Sequence, residues 1–173
     1  TTNITWNSAL DGYAWGSPAI DSNGNIYVVT TNGYIDVFNS DGTPRWNYAL
    51  PSGGDVWATP VIGVNGTIYI PRDNILYAIR EVDGKAPPSP LWTTVLTTGA
   101  FISSAAIGRN GNIYICSNFT GPEREILYSI NGNNGEINWP FQARYVYRTP
   151  SIGLDGTVYL STSDGIYAIN DNG

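Results

Sequence analysis

Three large rings and one cation are the residues whose type and placement are best suited to recognising another molecule. Trp15-Gly16-Ser17, Trp57-Ala58-Thr59 and Tyr147-Arg148-Thr149 align with one another and with Ile102-Ser103-Ser104, which puts an aromatic at the first position of three of the four segments. Such rings can stack on sugar rings or on a partner's side chains. They also fill the interfaces between packed sheets, which is the commoner use and the favoured one here. Arg148 stands where the other segments carry Gly16, Ala58 and Ser103, with Arg144 four residues earlier and Asp55 ahead of the second segment. A cation there needs water or a counter-charge. It is read either as a rim arginine, solvated or ion-paired, or as an anchor for a carboxylate or other anion.

Residues able to do bond-making chemistry are scarce. Histidine is absent, which removes the commonest general base and metal ligand. Asp36, Asp41, Asp83 and Asp155 are assigned to turns, and no two of them have a spacing that suggests glycosidase acid/base work. Cys116, the single cysteine, lies in the alternating stretch Ile113-Tyr114-Ile115-Cys116 and reads as a small buried apolar residue rather than a nucleophile. One cysteine forms no intramolecular disulfide and no cysteine-rich metal site. The expectation is therefore no catalytic residue, no metal ligand and no cofactor. Asp21-Ser22-Asn23-Gly24-Asn25 has calcium-loop residue types, but lacks the loop's spacing and closing Glu and is read as a turn.

The 173 residues suit one domain, 1–173, and 42% hydrophobic residues are enough to build its core. A net charge of −6 would repel a phosphate backbone, so nucleic acid is not an expected partner. No apolar run approaches the ~18 residues of a membrane span. Sequons at Asn3, Asn65 and Asn118 are candidate glycosylation sites if the chain is secreted. With few charged residues and many Tyr, Trp, Thr and Asn, they point to an extracellular or cell-envelope location.

The elements that must position these residues come from an internal repeat. Ser17-Pro18-Ala19-Ile20, Thr59-Pro60-Val61-Ile62, Ser104-Ala105-Ala106-Ile107 and Thr149-Pro150-Ser151-Ile152 each lead through an Asn-Gly or Asp-Gly pair into Ile-Tyr-Val-like strands. The glycines at 24, 66, 111 and 156 recur at spacings of 42, 45 and 45, the period of propeller blades. Asn-Gly and Asp-Gly between apolar strands are hairpin signals. A third strand follows in each copy, such as Ile75-Leu76-Tyr77-Ala78-Ile79. A further glycine turn then leads to Trp46, Trp92 or Trp139 on a fourth. The pattern predicts an all-β chain of four-stranded antiparallel blades over about 13–49, 55–95, 100–142 and 145–170. The last copy has no fourth-strand tryptophan, while Trp6 precedes the first, so a strand over 3–8 is expected to close the last blade. That leaves open a closed four-bladed ring, half of an eight-bladed ring built from two chains, or part of a longer propeller.

These motifs resemble the quinoprotein-type (PQQ-like) β-propeller repeat over nearly the whole chain. Ser129-Ile130-Asn131 through Gly135 to Trp139 fits its tryptophan-docking pattern, Val37-Phe38-Asn39 to Trp46 fits with one residue fewer, and the copy from Ala78 to Trp92 carries the insertion Lys85 to Pro90. The resemblance implies a tryptophan packed between neighbouring blades. The family holds dehydrogenases that use pyrroloquinoline quinone and calcium, and cofactor-free members that include an envelope scaffold. The adjacent cysteine pair of the enzymes is missing here. A non-catalytic extracellular or envelope module working through a protein partner or self-association is the leading expectation. A sugar-binding, lectin-like propeller is the alternative, and a piece of a quinone-dependent dehydrogenase comes third. The insertion at 85–90 and the loop at 118–125 are additional surface connections where recognition can reside.

Overall fold

Alternating β-branched and aromatic residues broken by glycine turns leave the chain no helical option, and none forms among the described residues. The computed structural model describes residues 3–51, 54–96, 103–117, 125–143 and 148–171. Four antiparallel sheets follow one another. Sheet 1 comprises β1 (Ala19–Ile20), β2 (Ile26–Val29), β3 (Tyr34–Phe38) and β4 (Pro44–Ala49). Sheet 2 comprises β5 (Val61–Ile62), β6 (Ile68–Arg72), β7 (Ile75–Ile79) and β8 (Trp92–Val95). Sheet 3 comprises β9 (Ala106–Ile107), β10 (Ile113–Ser117), β11 (Glu125–Ile130) and β12 (Ile137–Ala143). Sheet 4 has three strands, β13 (Ser151–Ile152), β14 (Val158–Thr162) and β15 (Gly165–Ile169).

The first hairpin of every sheet is closed in the same way. The N–H of Gly24, Gly66, Gly111 and Gly156 returns to the carbonyl three residues back, at 2.8–3.1 Å, and each glycine has a φ between 76° and 89°. That left-handed conformation is cheap only without a Cβ, which is why the dipeptide ends in glycine every time. In the first of these turns Asp21 accepts from the backbone N–H of Asn23 and Asn25, the Asn25 amide and the Tyr27 hydroxyl, so its carboxylate is a turn brace. The Asp83-Gly84 turn ahead of the 85–90 insertion forms a small hairpin of its own, with Val82 and Lys85 exchanging both backbone bonds across two residues at positive φ.

Strand alternation gives each sheet two apolar faces, and consecutive sheets bury them against each other. Tyr27, Val29, Ile35 and Val37 of sheet 1 pack on Ile68, Ile70, Tyr77 and Ile79 of sheet 2. The opposite face of sheet 2, with Tyr69, Leu76 and Ala78, packs on Ile113, Ile115, Tyr128 and Ile130. Tyr114, Cys116 and Leu127 then meet Val158 and Leu160. Cys116 is buried, as its alternation implied, and desolvation pushes its thiol up to about 12. The first strands converge, β1 lying near β5 and β9 near β13.

Three expectations need correcting. Residues 3–8 form no strand, sheet 4 keeps a three-stranded ladder, and no hydrophobic cluster joins sheet 4 to sheet 1 among the described residues. A closed four-bladed ring is therefore not formed in this structure. Residues 6–11 are held by sheet 1 instead, without pairing to β15. The Trp6 indole covers Gly42, where a Cβ would stand 2.5 Å from its ring, and the Ser8 hydroxyl donates to the Gly42 carbonyl. Asp36 does not lie in a turn but inside β3, buried, where its carboxylate accepts the Asp11 N–H at 3.0 Å. Burial raises its pKa; the bond from the Asp11 N–H works against the shift, and the charge of Asp11 adds to it.

Candidate binding surface

A belt of hydroxyls sets where the inner strands sit. The N–H of Ser17 donates to Thr59 Oγ1 at 3.0 Å, and the N–H of Thr59 donates to Ser104 Oγ at 2.9 Å. The repeated Ser/Thr thus ties sheet 1 to sheet 2 and sheet 2 to sheet 3. In sheet 1 the residue before it has to be glycine: a Cβ on Gly16 would lie 2.6 Å from the Ala58 carbonyl oxygen.

One position further back the belt presents the rings. Trp15 and Trp57 lie 5.3 Å apart between centroids at an interplanar angle of 44°, and are 68% and 47% exposed. They lean on each other across two sheets, on the surface and not inside the sheet interface that the sequence favoured. Tyr147 and Arg144 fall outside the described residues. Arg148 is exposed, as are Asp55, Asn3 and Asn65; Asn118 lies outside the described residues.

Behind this surface two basic residues that the sequence did not single out hold the frame. Arg72, buried on β6, donates to the carbonyls of Gly54, Leu50 and Asn32 and so ties the connection between sheets 1 and 2. Arg45 forms a two-pronged pair with Glu81 at 2.6 and 2.8 Å, and the Trp46 indole N–H reaches the same carboxylate at 2.7 Å. The Arg45 bonds, opposed by burial and helped by Trp46, hold the Glu81 carboxyl below its ordinary range. Neither arginine belongs to a short motif, so only the folded chain identifies them. A third polar feature is a cavity of about 320 Å³ between sheets 3 and 4, lined by Arg109, Tyr114 and Asp171 among others. There Asn110 and Asn112 donate to the Asp171 carboxylate.

The sole cysteine is buried in the interface between sheets 3 and 4, and no three acidic or thiol ligands converge among the described residues. No helix among those residues is long and apolar enough to cross a membrane.

Sheets stacked face to face with their first strands converging define the chain as an arc of a β-propeller, four blades long. No family model matches the chain. No curated protein matches it either. Solved structures do. A protein of unknown function from Bacteroides caccae superposes with a TM-score of 0.64 at 16% identity, over 98% of this chain and 65% of that one. BamB from Moraxella catarrhalis superposes with a TM-score of 0.53 at 17% identity, over 97% of this chain and 64% of that one. At such identities the likeness is one of fold, and this chain spans just under two thirds of each neighbour's length.

Proposed function

We propose that the chain is a non-catalytic binding or scaffold module that engages a protein partner through the Trp15–Trp57 surface, outside the cell or facing the envelope. The observation that carries the reading is a pair of tryptophans kept exposed on a frame whose register is fixed by hydroxyl bonds and a mandatory glycine. Each ring offers roughly 150–250 Å² of apolar surface with a donor at its edge, and tryptophan is enriched among the residues that dominate binding energy. The structural likeness to BamB and the repeat's resemblance to a family with cofactor-free scaffold members support the same direction. The low charge content and exposed sequon asparagines support the location.

Peptides selected from a displayed library against the folded chain supply the test. Trp15→Ala and Trp57→Ala are each expected to weaken the selected peptides by about tenfold or more while leaving the chain folded, with the smaller stability loss at the more exposed Trp15. Selected peptides that bind both variants as well as the parent would discard this surface. The same exposed pair also suits a sugar face, so a glycan array is the discriminating control. Glycan binding lost in both variants would replace the protein partner with a carbohydrate.

A further inference from the structure

Every four-stranded blade contains the same ring pair, and among the described residues one ring at each end of the arc, Trp6 and Tyr159, lacks such a partner. Tyr27 and Trp46 stand 6.2 Å apart, Tyr69 and Trp92 5.7 Å, and Tyr114 and Trp139 6.1 Å. Register explains the recurrence. The tyrosine on the second strand and the tryptophan on the fourth flank one residue of the third: Val37, Ala78 or Ser129. In sheet 4 Tyr159 stands opposite Ala168 in the same way, but Ala168 has no partner on its other side.

Each tryptophan also has a seat in the following blade. The Trp46 indole N–H reaches Glu81, Trp92 reaches the Gly132 carbonyl and covers Gly135, and Trp139 reaches the Asp171 carbonyl. Trp6 already occupies the corresponding seat in sheet 1, on Gly42. Among the described residues it has no tyrosine, and Tyr159 has no tryptophan; the two are 40% and 41% exposed. The face around Tyr159 is bare as well. Ile166 is 74% exposed, whereas Leu76 and Leu127 at the same register position are fully buried.

We propose that residues 3–8 of one copy of this chain add to the free edge of β15 in a second copy, placing Trp6 opposite Ala168 and against Tyr159. The occupant is a second copy because, within one copy, residues 3–8 do not pair with β15 and no hydrophobic cluster links sheet 1 to sheet 4 among the described residues. Pairing of this kind continues the three interfaces already built inside the chain: a forward face carrying tyrosine and aliphatic residues meets the rear face of the next sheet. On sheet 1 that rear face carries Ile26, Val28 and Phe38, of which Val28 and Phe38 are already buried in the single copy and Ile26 is half-buried. Reciprocal exchange between two copies closes eight blades around a two-fold axis and leaves no blade with only three strands. With −6 on each copy, added salt strengthens the association by screening repulsion.

Sedimentation of the full chain tests the pairing. The parent is expected at twice 18.7 kDa at micromolar concentration. Trp6→Ala and Ile166→Glu are expected to weaken dimerisation by at least about tenfold. Ile166 is exposed in the single copy, so its variant tests the interface without threatening the fold. Trp6→Ala mixed with Ile166→Glu should recover a species of dimer mass, because one intact junction remains between the two. A parent that stays monomeric at millimolar concentration overturns the proposal, as does a dimer indifferent to both substitutions. Monomeric variants that lose thermal stability yet fail to complement in the mixture would instead indicate closure within one chain.

Discussion

Sheets 2 and 4 are built from nearly the same residues and have opposite fates. Tyr69 and Tyr159 occupy one register position, opposite Ala78 and Ala168, yet Tyr69 is 3% exposed and Tyr159 41%. Leu76 and Ile166 differ even more, at 0% and 74%. Strand geometry is equivalent in both sheets. What differs is that sheet 3 covers the forward face of sheet 2, and no described residue covers that of sheet 4. In a propeller, burial is a property of the junction between repeats and not of the repeat.

The largest effect that would test this contrast is a paired truncation. Leu76→Ala is expected to cost about 2–5 kcal/mol, because it opens a cavity between sheets 2 and 3 that the packed neighbours cannot fill. Ile166→Ala, measured by denaturant unfolding at a concentration where copies are dissociated, is expected to change stability by less than about 1 kcal/mol. Equal losses at the two sites would mean that sheet 4 is covered in solution even in the single copy.

A smaller difference separates two glycines with similar backbones. Gly135 and Gly156 have φ of 79° and 89°, so alanine strains both. A Cβ on Gly135 also meets the Trp92 ring at 2.6 Å, while nothing lies within 4 Å of one on Gly156. Gly156→Ala is expected to cost about 1 kcal/mol and Gly135→Ala about 1–3 kcal/mol more, read as a greater fall in melting temperature. Identical falls would show that the tryptophan seat adds nothing beyond backbone strain.

The smallest effect lies in the ion pair that sheet 1 makes with sheet 2. The folded pKa of Glu81 is lowered from 4.5, so the stability from its pair with Arg45 is complete above that value and is lost as pH falls through the lowered one. Glu81→Gln is expected to cost about 1 kcal/mol at neutral pH and to flatten the loss of stability below pH 4.5. An unchanged acid limb in urea titrations at stepped pH would remove Glu81 from the junction's energetics.

Much of the fold was readable from spacing. The Asn-Gly and Asp-Gly turns, the strand alternation and the four copies are local signals, and they appear as read. Cys116 was legible for the same reason, since alternation alone places it inside. The candidate surface was legible only by position. The alignment located Trp15 and Trp57, but the same residues suited an interface between sheets, and the choice needed their solvent exposure. Asp36 was misread because a carboxylate in a strand runs against residue preference; its partner, the Asp11 N–H, comes from 25 residues away. Arg72, Arg45 and Glu81 carried no motif at all.

The sequence by itself determined the blade: where each strand starts and turns, which residues alternate inward, and that the module repeats. Only the tertiary structure decided which faces are covered, that Trp6 sits on sheet 1 rather than on sheet 4, and that the arc stays open. Hairpins are specified by φ, ψ and neighbours a few residues apart, whereas the packing of one sheet on the next depends on residues some 45 positions away and on which surface is free to receive them.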